Sequence, residues 1–129
     1  MSEQPTAFSD TMSYTSPGQL GAVRAFVCAR ALALDLPAAR VDLLTLAVSE
    51  LATNTLQHTS GGGRVRVWAE AGQLICDVHD SGPERAFGRA MPSADAVRGR
   101  GLPIVERVCD EVATFSVDGG SVVRLRLNL

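Results

Sequence analysis

Three consecutive glycines, Gly61 to Gly63, split this chain into halves with different hydrophobic periods. Before them, apolar residues recur at the three-to-four spacing of a helix. After them, apolar and charged residues alternate at the two-residue spacing of a strand. A run of glycines does not sustain a helix, since each favours left-handed or open backbone. Helices therefore come first and mostly antiparallel strands later. That order predicts an α+β fold, with helices packed on one face of a mixed, mostly antiparallel sheet.

In the first half, Leu20, Val23, Val27 and Ala31 predict a helix from Gln19 to Leu34. Pro37 suits the opening of a second helix from about Ala38 to His58, with Leu44, Ala47, Val48 and Leu51 as its buried stripe. Residues 1–16 read as a polar N-terminal segment or short first strand near Phe8 to Met12, and residues 17–129 as the domain. In the second half, 64–70 and 73–80 form one predicted hairpin, 111–118 and 121–129 another. A loop is expected over 81–100 and a short helix over 101–110.

The 129 residues suffice for one domain with a single core. A net charge of -2 without a long basic patch argues against direct nucleic acid binding, and no stretch has the ~20 apolar residues of a membrane span. The start lacks the basic and apolar regions of a signal peptide. Cys28, Cys76 and Cys109 are odd in number and set among apolar neighbours, the pattern of reduced, buried thiols in a cytoplasmic protein. With two histidines and no paired cysteines, structural zinc is not expected. Trp68 reads as a packing residue.

Three short patterns carry candidate chemistry. Glu50, Asn54 and His58 recur at intervals of four, close to or at the margin of the second helix's apolar stripe. They form either a satisfied boundary row or the wall of a pocket. Asp80 shares a strand face with Leu74, Cys76 and Val78, so it points inward at the strand's end. An ionised carboxylate there accepts hydrogen bonds from a donor such as an exocyclic amine, or else closes a turn with Gly82 and Pro83. Gly99 and Gly101 precede a predicted helix, flanked by Arg98 and Arg100, which is a phosphate-binding arrangement when a helix N-terminus follows and a plain turn otherwise.

Taken in order, these patterns resemble the N, G1 and G2 boxes of the GHKL ATPase superfamily, whose fold is the Bergerat-type ATP-binding fold. The best local match is the anti-sigma-factor serine/threonine kinase branch, carried by "SELATNTLQHT", "HDSGP", "GRGLPIVERV" and the ending "GGSVVRLRLNL". The resemblance covers roughly residues 17–129. It implies that Glu50 is the general base for a serine hydroxyl and that Asn54 binds the magnesium ion bridging the ATP phosphates. It further implies that Asp80 accepts from the adenine amino group and that Gly82 lets the backbone approach the base. Gly99, Arg100, Gly101 and Leu102 would line the phosphate end beneath a short lid over 84–98, and His58 would have a supporting role.

As for partners, the resemblance implies a sigma factor, a STAS-type antagonist phosphorylated on Ser or Thr, and a homodimer formed through the sheet and N-terminal helix region. One departure stands out: Glu84 occupies the place of the second glycine in the G1 box. It leaves a second reading open, in which the same fold regulates a partner with weak or absent nucleotide binding. His79 falls on the strand face opposite Asp80 and is not expected in the site.

Overall fold

The computed structural model describes residues 10–58, 61–80, 109–117 and 119–129. Strand β1 spans Thr11–Tyr14, followed by a 3-10 turn at Pro17–Gln19, helix α1 at Leu20–Ala33 and helix α2 at Ala38–His58. Strands β2 (Gly63–Glu70), β3 (Gln73–Asp80), β4 (Glu111–Val117) and β5 (Gly120–Asn128) complete one five-stranded sheet of order β1-β2-β3-β5-β4. Every described pairing is antiparallel, where the sequence allowed a mixed sheet. Hairpins join β2 to β3 and β4 to β5. The described first strand is Thr11–Tyr14, and Phe8 and Ser9 of the expected segment lie outside the described residues. The predicted short helix over 101–110 falls largely outside the described residues.

Local chemistry explains the helix boundaries. The Gln19 side chain folds back to accept the amides of Thr15 at 2.6 Å and Ser16 at 3.2 Å, with Pro17 supplying a pre-set helical φ. Asp35 adopts φ 72°, which reverses the chain between α1 and α2. The carbonyl of Pro37 accepts the amides of Arg40 and Val41, starting α2 where the proline predicted.

Both helices lie on one face of the sheet. Val23, Val27 and Ala31 of α1 and Leu44, Ala47, Val48 and Leu51 of α2 are buried against Val65, Val67, Leu74, Cys76, Leu125 and Leu127. Burial of this apolar surface is the main favourable term holding the layers together. Two arginines fasten the edges. Arg30 donates to the Val67 carbonyl at 3.0 and 3.2 Å, and Arg40 reaches the Asn128 carbonyl at 3.1 Å.

The other sheet face carries no described helix and is mostly polar, with Ile75 and Val122 buried among its longer side chains. Asp77 and Arg124 form a bidentate pair at 2.8 Å on both arms. Trp68 is half-buried here, with the Arg66 guanidinium 4.1 Å and that of Arg124 5.5 Å from its ring centroid. The tryptophan is thus stacked with cations, not buried in the core. All three cysteines are free; Cys76 is buried, whereas Cys28 and Cys109 are only half-buried. Among the described residues, no helix is long and apolar enough to cross a membrane.

Candidate functional site

Helix α2 ends where β2 begins and β3 finishes, so Asn54 and the helix terminus share one end of the molecule with Asp80. The threonines of the helix's second half show how ordinary polar residues are accommodated. Thr53 donates to the Ser49 carbonyl at 2.7 Å, and Thr55 to the Leu51 carbonyl at 3.1 Å. These i−4 bonds satisfy the hydroxyl donors within the helix itself.

Asn54 behaves differently. It is 8% exposed, and its Nδ2 is buried without a hydrogen-bond partner among the described residues. An unsatisfied buried donor of this kind costs about 1–3 kcal/mol. Glu50, one turn earlier, is half-buried at the edge of the stripe. Half a turn of the Asn54 amide exchanges its nitrogen and oxygen, so the same place offers a donor or a carbonyl acceptor. A carbonyl suits a hard cation such as Mg²⁺, which is held by one or two protein oxygens together with phosphate oxygens and water. No cluster of three or more His, Cys, Asp or Glu side chains able to hold a metal occurs among the described residues.

Asp80 is half-buried and closes β3 on the strand face shared with buried Leu74, Cys76 and Val78. His79 lies on the opposite face, opposite Val122 on β5, and its Nδ1 is buried without a partner. Burial, then the nearby Arg64, holds its imidazole below the usual histidine range. His58 is the last residue of α2. Gly82, Gly99, Arg100, Gly101 and Leu102, with the predicted lid and Glu84, lie outside the described residues.

Two residues at this end escaped the sequence reading. Tyr14 is 1% exposed, and its hydroxyl lies against Gly63, close to the place a Cβ would occupy. In the register, Tyr14 pairs with Gly63 and Gly63 with Asp80, so the ring crosses the glycine of β2 toward the last residue of β3. The Tyr14 hydroxyl, too, is buried and unpartnered. Thr55 is near enough to favour the phenolate slightly without meeting hydrogen-bond geometry. The available signals were a lone tyrosine ahead of the first helix and a glycine run longer than a helix stop needs.

Burial pushes the Tyr14 phenol up to about 12, with Asp80 and Cys76 adding in the same direction. Because the folded value exceeds the unfolded one near 10, stability is intact below about pH 10 and declines as pH rises toward 12. The chain has one tyrosine, so phenolate absorbance reports this residue alone. The native protein should reach half-ionisation only near pH 12 and the denatured chain near 10. Native titration near 10 would mean that the hydroxyl is open to water.

No curated protein matches the sequence. Among solved structures, the fold matches the crystal structure of the RsbU and RsbW domains of Rv1364c from Mycobacterium tuberculosis, with a TM-score of 0.66 and 20% identity. The match covers 92% of this chain and 32% of that one, so this chain spans about a third of the matched chain's length. The family model for the histidine kinase-like ATPase domain matches residues 14–127, from the end of β1 to the last turns of β5. With its helical pair on an antiparallel sheet, the chain belongs to the histidine kinase-like ATPase domain family, of the GHKL type.

Proposed function

We propose that this domain binds Mg-ATP at the end of the sheet where α2 and β3 terminate, and transfers the γ-phosphoryl group to a serine or threonine of a STAS-type antagonist protein. The observation that carries this reading is the buried, unpartnered Asn54 amide one turn beyond Glu50. Its neighbouring threonine hydroxyls are satisfied within the helix, so the cost of leaving the Asn54 Nδ2 unpaired favours a partner outside the described residues, which a bound nucleotide and its ion would supply.

In this reading, Asn54 would hold a magnesium ion through its carbonyl, and the ion would supply charge neutralisation at the ATP phosphates. Asp80 accepts from the adenine amine and sets the base end of the cleft. Gly82 allows backbone approach to the base, Gly99, Arg100, Gly101 and Leu102 receive the phosphates, and His58 has a supporting role in the nucleotide site. Glu50 takes the proton of the acceptor hydroxyl as its oxygen bonds to the γ-phosphorus and the bond to the β,γ-bridging oxygen breaks, leaving ADP. The domain also sequesters a sigma factor, works in the cytoplasm and pairs into a homodimer through the sheet and N-terminal helix region. The RsbW domain named in the matched structure supports the anti-sigma branch. Glu84, in the second-glycine position, favours a second reading in which the fold controls its partner without turnover.

Calorimetric titration with ATP, with and without Mg²⁺, tests the nucleotide cleft. Wild type should bind in a magnesium-dependent manner. Asn54→Ala should remove most of that dependence, and Asp80→Asn should weaken binding about tenfold or more, as expected for a lost charge-assisted bond. Absence of binding by wild type would leave only the partner-binding reading.

A further inference from the structure

Resting on the nucleotide reading above, we propose that Tyr14 is a positioning residue for base recognition: its hydroxyl, carried across Gly63, orients the Asp80 carboxylate toward the exocyclic amine of the nucleotide base.

The geometry has three parts. First, β1, β2 and β3 are in register at this level, with Tyr14 opposite Gly63 and Gly63 opposite Asp80. Second, the middle strand has no side chain there. A Cβ on Gly63 would sit 2.6 Å from the Tyr14 hydroxyl and 2.8 Å from the ring carbon bearing it, so the phenol occupies the lane that a side chain would fill. Directly opposed Cβ positions on antiparallel strands are about 5 Å apart, which leaves the hydroxyl within one side-chain length of the Asp80 carboxylate. Third, the hydroxyl is buried on a residue that is 1% exposed and makes no hydrogen bond among the described residues, although the Thr55 hydroxyl, already bonded to the Leu51 carbonyl, is near enough to favour the phenolate.

A phenylalanine would fill the same space without burying an unpaired polar atom. The oxygen is therefore unexplained by packing. The polarity of the pair also fits, because an ionised carboxylate only accepts hydrogen bonds and a phenol at neutral pH has a proton to donate. With one carboxylate oxygen held by Tyr14 through one water, the other is presented to the base amine in a fixed orientation. Asp80 raises the phenol's pKa, so the two groups lie within electrostatic reach.

Tyr14→Phe separates this role from packing, because affinity and stability should move differently. The variant should bind Mg-ATP about five- to tenfold more weakly, as for one lost hydrogen bond. Its melting temperature without nucleotide should equal or exceed that of wild type. Purine riboside triphosphate, which lacks the exocyclic amine, should bind wild type and Tyr14→Phe equally.

Unchanged ATP affinity in Tyr14→Phe, alongside weakened binding by Asp80→Asn, would overturn the role of Tyr14 and leave the nucleotide site standing. An equal loss for ATP and for the amine-free analogue would also overturn it, since the hydroxyl would then shape the cleft generally. Failure of wild type to bind ATP would remove the nucleotide reading and this inference with it.

Discussion

Glu50→Gln is expected to reduce phosphoryl transfer to a STAS-domain acceptor by about 10²–10⁴-fold, the usual contribution of a positioned general base. The substitution keeps the length and shape of the side chain and removes its basicity. Mg-ATP affinity should stay within about threefold of wild type, because the base acts on the acceptor hydroxyl and not on the nucleotide. The half-buried position of Glu50, one turn ahead of Asn54, makes this split informative. Single-turnover transfer of labelled phosphate, read beside calorimetric ATP binding, measures both quantities. Undiminished transfer would reduce Glu50 to a boundary residue of α2. A matching loss of ATP affinity would make it part of the cleft wall.

Gly63→Ala should cost roughly 3 kcal/mol of stability, at the upper end of overpacking effects. The added Cβ would lie 2.5 Å from the His79 carbonyl oxygen and 2.6 Å from the Tyr14 hydroxyl. The first contact is with backbone on the adjacent strand, so relief requires β2 and β3 to separate where Asp80 closes its strand. Gly72→Ala is the fitting comparison. Gly72 has nothing within 4 Å of a built Cβ but adopts φ +79°, so only the left-handed penalty of about 1–2 kcal/mol applies. Denaturant midpoints for the two variants measure the difference. A Gly63→Ala loss no larger than that of Gly72→Ala would mean that Tyr14 does not pack tightly over β2.

The α2 boundaries were legible because both ends carry strong backbone signals: Pro37 at one and the glycine run at the other. The β2–β3 hairpin was legible from strict alternation, which the buried Val65, Val67, Leu74, Cys76 and Val78 follow. The spacing that put Glu50 at the stripe's margin and Asn54 close to it also survives, since helical period alone fixes which side chains share a face. Tyr14 was not legible. Its role depends on which strand β1 joins and in what register, and neither is encoded locally in a four-residue strand. Gly63 was taken as the end of a helix because its second constraint comes from a ring 49 positions away in the chain. Trp68 reads from the sequence as a packing residue. Its strand parity places it with Arg66 and Asp77 on the polar face, and that face became identifiable only once the helices were seen on the other.

That placement of Trp68 gives the molecule an optical division between its two sheet faces. The chain has one tryptophan, in contact with the Arg66 and Arg124 guanidiniums on the face away from α1 and α2. Its emission is governed by those guanidiniums and by solvent at that surface. A macromolecule covering the open face must displace this water and disturb the stack, whereas a ligand at the Asn54 end leaves the indole's surroundings in place. Intrinsic fluorescence therefore distinguishes, without a label, an event on the outer sheet surface from one at the helix terminus.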